Sequence, residues 1–296
     1  MSTATAIDEA LLRQWPLPAP QDDDDKETRG RLLIVAGCRE LAGAAVLAGT
    51  AALRAGVGKL AIASPEGAAA LVAAAIPEAR VIPLQEADDG GVSCDALAKL
   101  EPLAQRVDAV LAGPGMSGGE TTLRFLHDLM PLFGRPTLIL DALAMDSVRR
   151  LGRFDRPVLM TPHAGEMAHL TGERKEDIRA DPLSIAGRYA KAWNAVIALK
   201  GVQTCIATPD GRLWHHSGAV PGLAASGSGD VLAGVVAALA ARGASLEQAA
   251  AWGVTLHARA GRQLERRLGT VGYLARELAA EIPGLLDKIS TPSTEA

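Results

Sequence analysis

Along most of the chain, short apolar runs of β-type residues alternate with longer Ala- and Leu-rich stretches, beginning at Arg31. This alternation predicts parallel strands whose two faces are both covered by the helices that connect them. The strands expected are Leu32–Ala36, Leu60–Ala63, Ala109–Ala112, Thr137–Leu140 and Val158–Met160. Two more runs, Val196–Leu199 and Cys205–Ala207, precede Arg212–His215 after the turn Pro209-Asp210-Gly211, so the sheet is expected to end in antiparallel strands. Three Ala-rich helical segments follow, and no internal repeat of roughly 20–50 residues is present.

At the ends the pattern stops. Residues 1–25 carry Pro16, Pro18, Pro20 and the acidic run Asp22 to Asp25, which predicts a flexible arm. From Ser290 the chain reads STPSTEA, too polar to pack, so residues 289–296 are expected to form a disordered tail. Between them, residues 26–288 are expected to be a single catalytic domain.

Composition narrows the function. With 48% hydrophobic residues among 296, the chain can bury a large core. A formal net charge of −4 with scattered Lys and Arg offers no surface for a phosphate backbone, which argues against nucleic acid as a partner. Cys38, Cys94 and Cys205 have neither CxxC nor zinc-ligand spacing and read as small buried residues. No secretory leader is evident, and no apolar run approaches the ~18–20 residues of a membrane span, so a cytoplasmic enzyme with no membrane partner is expected.

Three segments could carry chemistry. In Ala225-Ser226-Gly227-Ser228-Gly229-Asp230, glycines precede an apolar helix. Gly227, Ser228 and Gly229 would present free N–H groups at the positive end of the helix, a cradle for phosphate oxygens. Asp230 could then take a proton from a substrate hydroxyl as an O–P bond forms. Simple helix capping by Asp230 explains the spacing equally well. The second segment, Thr161-Pro162-His163-Ala164-Gly165-Glu166, follows a strand, where open α/β sheets bind ligands. His163 could contact a polar substrate or phosphate and Glu166 could hold Mg²⁺ through water, or the pair could merely start a helix. In the third, Leu199-Lys200-Gly201-Val202-Gln203-Thr204, a strand-end lysine could reach nucleotide phosphates, or be an ordinary solvated turn lysine. Gly113-Pro114-Gly115 and Asp141 also stand at strand ends. Ala55-Gly56-Val57-Gly58-Lys59 is not a P-loop, since Leu53 occupies the required first glycine position and Leu60 follows the lysine.

Read in order, Gly30 to Gly37, Gly43 to Leu47, Gly113-Pro114-Gly115, Leu140-Asp141-Ala142, Thr161 to Glu166, Leu199 to Thr204, Gly227 to Asp230 and Leu256-His257 resemble the ADP/ATP-dependent NAD(P)H-hydrate dehydratase family, across almost the whole chain from Lys26 to Leu286. The resemblance implies a ribokinase-like three-layer α/β/α sandwich with a mostly parallel central sheet. The activity it implies is dehydration of the S epimer of hydrated NADH or NADPH, driven by ADP and releasing AMP and phosphate. By position, Ala44, Gly115, His163 and Asp230 would contact the hydrated nicotinamide nucleotide. Lys200, Gly201, Val202, Gln203, Thr204 and Gly229 would hold ADP, with Asp230 as the base. Mg²⁺ is expected alongside the nucleotide, its ligands unassigned; ATP is the other donor the family uses. A homotetramer and a separate NAD(P)H-hydrate epimerase are also implied. Two departures stand out: Leu143 replaces the second acid of the family's Asp-Ala-Asp pattern, and Cys38 stands where serine is frequent. Two other readings use the same residues, a ribokinase-like kinase for a small vitamin-precursor alcohol and a nucleotide-binding regulatory module that has lost catalysis.

Overall fold

Central strands buried on both faces explain how one sheet supports two helical layers. The computed structural model describes residues 4–18 and 26–290. Its strands are β1 (Thr5–Ala6), β2 (Arg31–Val35), β3 (Lys59–Pro65), β4 (Arg80–Leu84), β5 (Ala109–Ala112), β6 (Thr137–Leu140), β7 (Val158–Met160), β8 (Ala195–Leu199), β9 (Gln203–Ala207) and β10 (Leu213–Ser217). Among the described residues they form one sheet in the order β1-β10-β9-β8-β7-β6-β5-β2-β3-β4. All neighbours pair in parallel except β9, which runs antiparallel to both β8 and β10. The antiparallel strands expected around the Pro209 turn are therefore present, but the sheet does not end on them, since β1 adds a parallel strand outside β10.

The helices are α1 (Glu9–Gln14), α2 (Ala42–Arg54), α3 (Glu66–Ala75), α4 (Glu120–Leu132), α5 (Ser147–Leu151), α6 (Ala164–Thr171), α7 (Lys175–Ala180), α8 (Pro182–Trp193), α9 (Ser228–Ala241), α10 (Leu246–Leu268) and α11 (Ala275–Ser290). Successive strand residues point to opposite faces. Leu32 and Ile34 of β2 pack with α2, α9 and α10, whereas Leu33 and Val35 pack with the layer containing α4 and α8. The result is the α/β/α sandwich expected from the sequence. β4 carries Pro83, which fits because β4 is an edge strand with one side free of ladder bonds.

Both chain ends depart from expectation. Residues 4–18 are not a loose arm. Thr5 and Ala6 extend the sheet beside β10, Asp8 caps α1 by accepting from the Leu11 amide at 2.8 Å, and Leu12 is fully buried. Trp15 stacks on Trp214 with ring centroids 5.7 Å apart, and its carbonyl accepts from Trp252 Nε1 at 2.9 Å. These apolar anchors outweigh the helix-breaking prolines that follow. Asp22 to Asp25 lie outside the described residues. At the other end α11 runs through residues 289 and 290 with Ile289 fully buried, so the expected tail begins too early; residues 291–296 lie outside the description.

Sheet order reverses between β5 and β2, where doubly wound sheets open a crevice at the carboxyl ends of their strands. There Gly37, following β2, donates its amide to the Pro114 carbonyl at 2.8 Å. No helix among the described residues is long and apolar enough to cross a membrane.

Candidate active site

Three neighbouring strands end on side chains that meet. Asp141 follows β6, Thr161 follows β7 and Lys200 follows β8. Thr161 Oγ1 donates to Asp141 Oδ1 at 2.6 Å, and Lys200 Nζ lies 3.5 Å from the same oxygen and 3.9 Å from Glu166 Oε2. The Lys200 amide donates to the Pro162 carbonyl at 2.8 Å, which ties the strand end to the Thr161 segment. Asp141 is only 4% exposed, so its charge is held by these two partners rather than by water. The next residue, Ala142, has φ of +46°, a strained conformation of the kind that concentrates at functional sites.

Facing them is the start of α9. Gly227 is its N-cap, with φ of +86° and no side-chain cap. A Cβ there would lie 2.4 Å from Leu47 Cδ1, so both backbone conformation and packing require glycine. Helix α2 fixes that spacing by running close beside α9: a Cβ on Gly234 would meet the Ala48 carbonyl at 2.2 Å. The amides of Gly229 and Asp230 are left without a carbonyl partner, as the first turn of an uncapped helix requires. Lys200 Nζ stands 3.5 Å from where a Gly229 side chain would begin, so ammonium and open helix end face one space.

Asp230, in that first turn, makes no hydrogen bond or ion pair among the described residues. Burial pushes its carboxyl up to about 6, the Asp141 charge adds to the rise, Lys200 opposes it, and Glu166 raises it further. Capping therefore does not account for Asp230. A half-buried, unpartnered carboxylate that titrates near neutrality is suited to accept a proton.

His163 and Glu166 have a different local role. His163 is the N-cap of α6; its Nδ1 accepts from the amides of Gly165 at 2.9 Å and Glu166 at 3.0 Å. Glu166 Oε2 accepts from the His163 amide at 2.7 Å, completing a capping box. With Nδ1 accepting, the neutral ring carries its proton on Nε2, free to donate.

A cavity of about 560 Å³ opens beside the α9 N-terminus, lined by Lys200, Thr204, Ser228, Gly229 and the apolar Val220 and Val254 among others. His257, itself buried, also lines it. Its Nε2 lies 3.0 Å from both the Ser228 carbonyl and the Ser228 hydroxyl. A carbonyl only accepts, so Nε2 holds the proton, and burial pushes the ring down to about 4 and keeps it neutral. Of the residues expected around a nucleotide, Lys200, Gly201, Val202, Thr204 and Gly229 line this cavity, while Gln203 faces a different one across the turn. Ala44 and Gly115 line neither. They touch each other at the switch point, where a Cβ on Gly115 would lie 2.4 Å from that of Ala44. Among the described residues, no group of three or more His, Cys, Asp or Glu side chains is placed to hold a metal ion.

The model of the NAD(P)H-hydrate dehydratase family matches residues 32–284. The chain belongs to this family. It is 47% identical to the ADP-dependent (S)-NAD(P)H-hydrate dehydratase of Xanthomonas campestris pv. campestris, over 95% of each chain. It is 39% identical, over 91% of its length, to the bifunctional NAD(P)H-hydrate repair enzyme of Moorella thermoacetica, and spans about half of that longer protein, 52%. Among solved structures, the ADP/ATP-dependent NAD(P)H-hydrate dehydratase of Bacillus subtilis, co-crystallised with ATP and Mg²⁺, superposes with a TM-score of 0.83 at 28% identity, covering 98% of this chain and all of that one. A ribokinase-like superfamily protein of Enterococcus faecalis gives 0.84 at 24% identity, covering 98% and 97%, and supports the fold alone.

Within this family frame, the structure brings to the site three residues to which the sequence alone assigns no role: Asp141, Thr161 and His257. Asp141 carried one local signal, an acid directly after the apolar run Leu138-Ile139-Leu140. His257 carries none beyond its place in the resembling pair Leu256-His257, since it lies midway along the 23-residue α10 and reaches Ser228 only through tertiary packing.

Proposed function

We propose that this chain dehydrates the S epimer of hydrated NADH or NADPH at the expense of ADP, with Asp230 as the general base. The observation that carries the reading is the unpartnered Asp230 carboxylate beside an uncapped helix end and the Lys200 ammonium. In the first step the ring hydroxyl oxygen bonds to the terminal phosphorus of ADP. The bond from that phosphorus to the bridging oxygen breaks, AMP leaves, and Asp230 accepts the hydroxyl proton. In the second step the ring C–O bond breaks with departure of phosphate, and a proton is lost from the adjacent ring carbon, restoring the double bond. Phosphorylation converts hydroxide, a poor leaving group, into phosphate, a good one. The amides of Gly229 and Asp230 and the Lys200 ammonium stabilise the negative charge on the transferring group.

In this reading the 560 Å³ cavity receives ADP, its apolar walls Val220 and Val254 suiting a base and Gly229 the phosphates. The hydrated ring lies toward Asp230 and the Ala44–Gly115 contact, with His163 Nε2–H as a donor. Magnesium fits as an ion carried by the phosphates, because the protein supplies no three-ligand group among the described residues. Glu166 Oε1, left over from the capping box, is a candidate acceptor for one of its waters. Such an ion supplies charge neutralisation. ATP can occupy the same cavity. An epimerase would act upstream to supply the S epimer, in keeping with the bifunctional repair enzyme among the relatives. A cytoplasmic homotetramer completes the proposal; exposed Leu268, Val271 and Leu274 between α10 and α11 offer an apolar surface for self-association.

The test is incubation with purified hydrated NADH, ADP and Mg²⁺ while following the reduced nicotinamide absorbance. Recovery of that band, with stoichiometric AMP and phosphate, is expected. No recovery with either ADP or ATP would sink the reading, and a stable phosphorylated product would point to a kinase.

A further inference from the structure

The Gly201-Val202 turn divides two cavities, and the reading above fills only one. On its other side lies a larger space of about 780 Å³, bounded by α7 and the start of α8. Both cavities share His163, Lys200, Gly201 and Val202. The polar side chains lining the second are His163, Lys175, Arg179, Lys200 and Gln203, and no carboxylate lines it. In a chain with a formal net charge of −4, a cavity lined by three cations and no anion runs against composition.

Lys200 is paired with Asp141 and Glu166, but no acid pairs with the other two cations. Arg174 takes up Glu176 and Asp177, and Arg188 and Tyr189 take up Glu173. Lys175 and Arg179 form no ion pair or side-chain hydrogen bond among the described residues. Their charges face the cavity and solvent uncompensated, which focuses positive potential there. Pro182 and the exposed Val202 add apolar wall suited to a sugar or base.

Two nucleotides must meet at Asp230 in the proposed reaction, and one cavity of about 560 Å³ accommodates only the smaller. We propose that the second cavity holds phosphate groups of the dinucleotide substrate, with Lys175 and Arg179 as the side chains that grip them. This rests on the reading of the substrate as a hydrated nicotinamide dinucleotide. An arginine presents a planar fork to phosphate oxygens and a lysine a mobile point charge, so the pair suits a pyrophosphate or a ribose phosphate.

Binding of NADP⁺, a dinucleotide that cannot be dehydrated, tests the cavity apart from turnover. In the full chain, Lys175→Ala with Arg179→Ala should weaken NADP⁺ binding about tenfold or more, as loss of charge-assisted phosphate contacts does, and leave ADP binding within about twofold. Added salt should weaken NADP⁺ binding more steeply in the wild type than in the double variant. The exchange Lys175→Arg with Arg179→Lys should restore most of the affinity. In turnover, KM for the hydrated dinucleotide should rise while kcat and KM for ADP hold. NADP⁺ affinity unchanged in the double variant, equal losses for NADP⁺ and ADP, or no NADP⁺ binding by the wild type would each overturn the assignment. If the double variant alone loses NADP⁺ but the wild type fails to dehydrate the hydrate, the cavity stands and the functional reading falls.

Discussion

Helices α6 and α9 begin at the same end of the sheet, each after a segment that sequence leaves open between ligand site and helix cap. Their structures differ. At α6, His163 and Glu166 satisfy the free amides themselves through the capping box. At α9 the cap is a bare glycine in a left-handed conformation, two amides stay unbonded, and an acid in the first turn has no partner. The contrast teaches that a helix end is available to a ligand when its own side chains decline to close it. It also separates kinds of residue: those of α6 hold the scaffold and offer one spare N–H, whereas those of α9 are arranged for something the chain lacks.

The sharpest way to break the contrast is to close the open end. Gly227→Ala puts a Cβ against Leu47 at a positive φ, which should cost about 2 kcal/mol in stability by strain alone and more through the clash. Displacing the amides should lower kcat about a hundredfold, as removal of a preorganised donor does; urea melts and steady-state rates check both. If the variant kept full activity, the helix end would not be the phosphate cradle.

A smaller effect should follow from the neighbouring charge. Asp230 must be ionised to accept a proton, so kcat/KM should rise with pH through about 6 and level off above it. Asp141 helps to raise that value, so Asp141→Asn should move the acid limb toward the ordinary carboxylate range. A limb that stayed in place would separate Asp141 from the base. Opening the closed end should do least to the chemistry. His163→Ala should cost about 1 kcal/mol of stability, the usual value of an N-cap, while Glu166→Gln, which preserves the box, should cost only a few tenths.

Much of this architecture was legible in sequence because parallel strands announce themselves as apolar runs, and their ends, where ligands bind, follow from the runs. Asp141, Thr161 and Lys200 could each be placed at a strand end, but their meeting depends on the neighbour relations β6-β7-β8, which no local pattern encodes. The role of His163 as cap could be considered but not decided, since deciding it needs the direction of one ring nitrogen. The resemblance groups Gln203 with Thr204, but strand residues one apart face opposite ways, and the two line different cavities. The N-terminal segment misleads because its prolines and acids dominate composition, while its anchor Trp15 finds its partners far along the chain, at Trp214 and Trp252.

The central claim is that Asp230 is a base left unpartnered for catalysis. Its most direct test is Asp230→Asn, which keeps the shape of the side chain and removes its proton affinity, assayed side by side for ADP binding and for release of AMP from ADP and the hydrated dinucleotide. ADP affinity is expected within a few fold of wild type and turnover lower by about a thousandfold, in the range that general base catalysis supplies. Turnover near the wild-type rate in a variant that binds ADP normally would contradict it.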